Sequence, residues 1–505
     1  MCANSVLINS SIVGSSVMAV RPEIAAYDLA RAGRIPEALI EATRAVASAR
    51  MLIPVHGLHV TLLRQLGRQE EAGDALVRAM RLPPDPGDAA DAFDALAFAA
   101  LSTGDFVRAN ELYRKATQHR EGDPTLWYNL ASSERGLGRL EAAEQACDRA
   151  ISVDPQHYQS LLLRSELRVQ TAANNHVAEL QALYKATNLS ERGAMFVGYS
   201  LGKELDDLGQ YQEAFHCFER ASRVRRGLLQ YDVATDVQKI DRIIRLYSAE
   251  AVSHAGPAAD SSRYLFIVGL PRSGTTLLER MMTNLPGVTS NGETDNFAQA
   301  LFGAAPEGAD PFDRAIRADP VRVAEGYRRL SSPKAGARVI EKLPLNYLYI
   351  GAIHLALPEA RILWVRRSAT DSCFAMWRTL FGSGYPFSYD FRDLAAYYAA
   401  VERLHRHWHE ILPARIHDVW YEDIVADPGA VGAQVARICD LPWADSAVDL
   451  TQNQTASMTA SAAQIRRPIY QSSVGRWRRY GSNLNPLVNA LSQAGVAVTD
   501  RGAPT

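Results

Sequence analysis

The chain has 505 residues, 47% of them apolar and 22% charged, with 54 Lys and Arg against 56 Asp and Glu for a formal net charge of −2. That length exceeds one ordinary domain and predicts two or three. The charge balance excludes a generally basic nucleic-acid coat and a polyanionic tail, so no nucleic-acid partner is expected.

The N-terminal run from Val6 to Val20 is interrupted by Asn9, Ser10, Ser11, Ser15 and Ser16 and has no basic residue before it, unlike a secretory signal. Met18 is an alternative start, so translation of residues 1 to 20 is open. No later stretch approaches the ~20 uninterrupted apolar residues of a membrane span. The five cysteines, Cys2, Cys147, Cys217, Cys373 and Cys439, form no CxxC pair. A cytoplasmic protein with reduced thiols is the expectation.

The first half repeats itself. A Gly followed five residues later by Ala recurs as Gly33/Ala38, Gly67/Ala72, Gly104/Ala109 and Gly138/Ala143, in steps of 34, 37 and 34 residues. A period near 34 in Ala-rich helical sequence predicts tetratricopeptide helix pairs. Gly209, Ala214, Phe218 and Ala221 give a further copy, with room for one degenerate repeat around Leu161 to Leu183. An all-α superhelix over 20–221 is expected, its concave face taking a protein or peptide; bracing the other domain or forming a homodimer are its alternatives. Residues 222–260 serve as a helical connector.

From Ser261 the pattern changes to short apolar runs between helical stretches. Tyr264 to Gly269, Arg338 to Ile340, Arg361 to Val365 and Ile416 to Trp420 read as buried parallel strands of an α/β domain over 261–495. Directly after the first of them comes Gly269-Leu-Pro-Arg-Ser-Gly-Thr-Thr276, which leads into a helical pattern. Its glycines let the backbone curl inward and the helix N-terminus adds partial positive charge, which makes an anion cradle. A nucleotide triphosphatase loop would carry Lys where Thr275 stands, so an ordinary ATPase, GTPase or kinase is disfavoured.

The string from Phe266 to Glu279 resembles the 5′-phosphosulfate loop of sulfotransferases, most closely the bacterial tetratricopeptide-repeat sulfotransferases and, at lower similarity, the tyrosylprotein sulfotransferases. The resemblance runs from Tyr264 to Leu491 and implies a P-loop-like sulfotransferase domain. Such a domain moves a sulfuryl group from 3′-phosphoadenosine 5′-phosphosulfate (PAPS) to an acceptor hydroxyl, most favourably a protein tyrosine, by in-line displacement with no metal required.

By the same resemblance Arg272, Ser273, Gly274, Thr275 and Thr276 form the cradle, and Arg272 also assists the reaction. Glu293 in Asn291-Gly-Glu is the base, and Lys342 in Glu341-Lys-Leu-Pro344 is the cation at the leaving oxygen. Scarcity sharpens the latter, because only six residues of the chain are Lys. Arg367 begins the 3′-phosphate clamp and Tyr421 contacts the adenosine. In the C-terminal segment Ser461 meets the phosphosulfate, while Gln464 and Arg476 complete the cofactor site. The family's second clamp residue is a Ser eight positions after the Arg; here that position is Ala375, so Ser368 or Ser372 would have to substitute or PAPS affinity would fall.

His405, His407 and His409 alternate on an amphipathic stretch, with His405 and His409 at the i,i+4 spacing of helical metal ligands. No nearby third ligand is legible, and no metal is expected there. A small-molecule or saccharide acceptor would use the same donor motifs. A repeat scaffold with a degenerate transferase domain is the alternative from another class.

Overall fold

The computed structural model describes residues 21–48, 52–253, 261–308, 310–331, 337–382, 384–453 and 468–498. These divide into two compact units, one ending at Arg168 and the other beginning at Val169.

The first unit consists of helix pairs: Pro22–Arg31 with Ile35–Ser48, Ile53–Gln65 with Gln69–Ala79, Ala89–Ser102 with Phe106–His119, and Pro124–Gly136 with Leu140–Val153. Each pair turns at the repeating glycine, Gly33, Gly67, Gly104 or Gly138, whose φ values of 72 to 81° put them in the left-handed region. Ala38, Ala72, Ala109 and Ala143 have no exposed surface. Small side chains at these crossing points let antiparallel helices approach closely, and Leu62, Leu76, Leu96, Leu112 and Leu130 fill the space between pairs. The helix Tyr158–Glu166 packs on the last pair.

The second unit opens with more helices. Val177–Lys185 packs on Glu191–Asp207, which pairs with Tyr211–Gly227 around Gly209. The latter pair is fixed to the helix Ala369–Trp377: Phe215 and Phe218 lie 5.3 and 5.9 Å from the Trp377 ring, and Tyr199 OH donates to the Trp377 carbonyl at 3.1 Å. The repeat pattern therefore runs on in sequence past the point where the packing divides.

At the centre of this unit is a wholly parallel sheet of β1 (Tyr264–Gly269), β2 (Val288–Ser290), β3 (Arg338–Lys342), β4 (Arg361–Arg366) and β5 (Ile416–Trp420), in the order β2-β3-β1-β4-β5. β1 is buried along its whole length because helices cover both faces, which accounts for its continuous apolar run. One face carries Leu265, Ile267, Leu278, Met281, Ile340 and Leu363; each such burial is worth about 1.5–3 kcal/mol. On the other, Phe266, Phe297 and Tyr327 form an aromatic cluster with centroids 5.6 to 5.8 Å apart. Parallel pairing brings the C-terminal ends of all five strands to one edge, where open α/β sheets bind their ligands.

Candidate active site

β1 ends at that edge in Gly269, and the loop Leu270 to Gly274 turns the chain into the helix Thr275–Thr283. Both glycines are required. A Cβ at Gly269, whose φ is 147°, would lie 2.4 Å from the Val365 carbonyl oxygen, and one at Gly274, φ 106°, would lie 2.5 Å from the Tyr421 ring. Between them Arg272 holds a φ of 66°, a left-handed conformation that costs a non-glycine residue about 1–3 kcal/mol. Ser273 is buried, and its hydroxyl has no hydrogen-bond partner among the described residues. Thr275 and Thr276 occupy the first helical turn, where backbone N–H groups have no intrahelical acceptor. A buried, unmatched hydroxyl in a loop with no room for a Cβ fits an anion seated against backbone.

Lys342 is the last residue of β3, level with Ile267 of β1, and is completely buried. Its Nζ donates to Glu293 Oε1 at 2.5 Å and lies 3.5 Å from Glu279 Oε2. Glu279 comes from the helix that follows the loop and accepts at 2.5 Å from Ser290 Oγ at the end of β2; that hydroxyl in turn accepts from the Gly292 amide at 2.9 Å. The β2–β3 ladder continues into the following turn through Asn291 N to Ile340 O and Lys342 N to Gly292 O. Glu293 is thus carried on a turn pinned to the strand that bears Lys342, with about a third of its side chain exposed. Glu279 did not stand out in the sequence as a partner of Lys342, nor Ser290 as a partner of Glu279; only their flanking of the two motifs pointed that way.

Arg367 follows β4. It donates to the Arg272 carbonyl at 3.1 Å and the Ser473 carbonyl at 2.6 Å, and its guanidinium lies 4.7 Å above the Tyr421 ring. Its buried Nε has no partner among the described residues. Tyr421 is the residue whose ring closes on Gly274, and its hydroxyl is bonded to Ser473 Oγ. Burial raises the Tyr421 phenol and Arg367 partly offsets that. The loop, Arg367 and Tyr421 therefore form one cluster.

Arg366 donates from one guanidinium nitrogen to both carboxylate oxygens of Glu402, at 2.8 and 2.6 Å. Ala375 lies on the helix Ala369–Trp377. One turn before it, Ser372 lines the same small cavity as Ser273 and Arg367. Ser368 is committed elsewhere: its amide and hydroxyl both donate to Glu422 Oε1 at 2.8 and 2.7 Å.

Arg476 forms an ion pair with Asp206 of the helix Glu191–Asp207, an acceptor shared with Arg378 and Tyr480. The sequence assigned it to the cofactor and gave no sign of this partner. Ser461 and Gln464 lie outside the described residues, as does Cys2.

His405 and His409 do acquire a third neighbour that the sequence did not disclose. Asp418 on β5 accepts from both ring nitrogens, at 2.8 and 3.1 Å, and lies 3.4 Å from Arg366. Burial raises the Asp418 carboxyl, but His405, Arg366 and His409 more than offset this and bring it down to about 2. His407 instead bonds the Tyr247 carbonyl at 2.9 Å.

Residues 265–445 match the family model described as sulfotransferase family, and 100–164 and 199–227 match tetratricopeptide-repeat models. The chain carries a sulfotransferase-family domain. An uncharacterized protein of Aquifex aeolicus (strain VF5) is 24% identical over 404 residues, 77% of this chain and 53% of its own length. The chain thus spans about half the length of that curated relative. Among solved structures, the sulfotransferase domain of the curacin biosynthetic pathway is 16% identical with a TM-score of 0.35, covering 46% of this chain and 98% of that one. The sulfotransferase domain of the Synechococcus PCC 7002 olefin synthase is 15% identical with a TM-score of 0.31, covering 44% and 94%. A sulfotransferase from Mycobacterium avium is 14% identical with a TM-score of 0.29, covering 68% and 97%. No helix among the described residues is long and apolar enough to cross a membrane.

Proposed function

We propose that this sulfotransferase domain moves a sulfuryl group from PAPS to an acceptor hydroxyl, with a protein tyrosine as the favoured acceptor. The observation that carries the reading is the Glu293–Lys342 pair, set at the same strand edge as a glycine-cornered loop with a buried, unmatched serine hydroxyl. PAPS supplies the sulfuryl group and a phosphate leaving group. Ser273, Thr275, Thr276 and the loop amides would hold the 5′ end of the donor, while Arg367 and Ser372 would hold its 3′-phosphate and Tyr421 its adenosine.

The roles follow from charge. Lys342 puts a buried ammonium where negative charge grows on the leaving oxygen, and a preorganised cation in a water-poor site stabilises such charge strongly. Glu293 is the more exposed partner and takes the acceptor's proton at a carboxylate oxygen. Tyr385, held at φ 56°, packs against Phe381 at 4.8 Å, and its phenol is raised first by burial and then by the Glu293 charge. The repeats would present the peptide. Four of the cysteines are buried free thiols, which supports a cytoplasmic setting.

The test is transfer of label from radioactive sulfur-labelled PAPS to a tyrosine-containing peptide, with its phenylalanine counterpart as control. Label on the tyrosine peptide alone is expected. Label only on saccharide or small-molecule hydroxyls would move the acceptor class.

A further inference from the structure

Glu341 precedes Lys342 on β3, so the two side chains project to opposite faces of the sheet. Its carboxyl is fully buried and surrounded by uncharged donors. Oε1 accepts from Thr294 Oγ1 at 3.1 Å, and Oε2 accepts from Asn291 Nδ2 and Tyr327 OH at 3.3 Å each. Two of these donors, Asn291 and Thr294, bracket the dipeptide Gly292-Glu293. Among the described residues, the titratable group facing this carboxyl from a neighbouring element is the phenol of Tyr327, on the helix Pro320–Ser331, whose ring packs edge-on against Tyr264 of β1. Lys342 is engaged on the other face with Glu293 and Glu279.

We propose that Glu341 is a positioning residue whose carboxylate clamps Asn291 and Thr294 and thereby holds Glu293 in place against Lys342. The catalytic consequence rests on the sulfuryl-transfer reading above; the clamp does not. A shell made only of donors matches an anion, and adding a proton to that anion displaces or reverses one bond. Burial pushes the Glu341 carboxyl up to about 7, so the grip on the turn loosens as pH falls through neutrality.

Stability runs the opposite way. Because the folded value lies above the ordinary 4.5, this group's contribution declines as pH rises from 4.5 to about 7. A glutamine would therefore serve the fold better in alkali and hold the turn worse.

The test is hydrogen exchange by mass spectrometry on the full chain, comparing wild type with Glu341→Gln and Thr294→Val at about pH 6 and about pH 8 and correcting for intrinsic rates. In Glu341→Gln at the higher pH, amides of 288–297 are expected to exchange roughly tenfold faster, the consequence of losing about one hydrogen bond, with β1 unchanged. Wild type should show the same loosening on going to the lower pH, and the variant should show none. With PAPS, the variant's kcat is expected to fall roughly tenfold with little change in donor KM, and the acid limb near neutrality should vanish. Unchanged exchange of 288–297 in Glu341→Gln overturns the clamp; should that variant not fold, unchanged exchange in Thr294→Val does the same. Faster exchange in the variants of a wild type that transfers nothing from PAPS upholds the clamp and overturns the transferase reading instead.

Discussion

Lys342 and Glu293 hold the same hydrogen bond but differ in setting, one fully buried and the other partly exposed. Lys342→Ala and Glu293→Ala are each expected to lower kcat by about 10²–10⁴, the usual range for a positioned acid, base or charge stabiliser. Circular dichroism should show the fold kept in Glu293→Ala. Near-normal turnover in either variant would remove that residue from the chemistry. Arg367 stacks on Tyr421 and bonds two backbone carbonyls, contacts that an ammonium cannot reproduce together. Arg367→Ala and Arg367→Lys should therefore both raise the KM for PAPS more than they lower kcat. Ser372→Ala should raise the same KM if this hydroxyl stands in for the serine that Ala375 replaces; an unchanged KM would leave the 3′-phosphate without a serine partner here.

At the scale of elements, the turn from β1 into the helix Thr275–Thr283 depends on Gly274, where a methyl group meets the Tyr421 ring at 2.5 Å in an already left-handed backbone. Gly274→Ala should abolish measurable donor binding and cost about 1–3 kcal/mol of stability, read by denaturant titration. A second junction is Asp206, which is 1% exposed at its side chain and receives Arg378, Arg476 and Tyr480. Burial raises this carboxyl, and Arg378 and Arg476 more than offset it, leaving it below its ordinary 3.8. Its contribution is therefore complete above that pH and lost only in stronger acid. Asp206→Ala should destabilise the second unit by about 3–5 kcal/mol, because it strands two arginines in a largely buried site.

Much of this architecture was legible in the chain. The Gly-to-Ala spacing located the helix pairs because each tight turn needs a left-handed residue and each crossing a small one, and four apolar runs located four strands. β2 was not, since the three residues Val288–Ser290 are too short for a periodic signal. The site's motifs were legible where they are local, as in the loop and in Glu341-Lys342. Partners that meet only through the fold were not: Glu279 at Lys342, Ser290 at Glu279, Ser473 at Tyr421, Asp418 at the histidine pair and Asp206 at Arg476.

For the whole molecule, two compact units with separate cores predict two heat-absorption transitions rather than one. A donor-site ligand that binds only the second should raise the later-assigned transition alone, by about 2.7 kcal/mol of stability at a hundredfold excess over its Kd. The most direct measurement is calorimetric titration of the full chain with 3′-phosphoadenosine 5′-phosphate, against ATP with magnesium. Saturable binding of the bisphosphate, weakened by Arg367→Ala, with none of ATP, is the predicted result. Absence of bisphosphate binding, or preference for ATP with magnesium, would contradict a PAPS-dependent transferase and leave the domain as a nucleotide-free scaffold or a triphosphate enzyme.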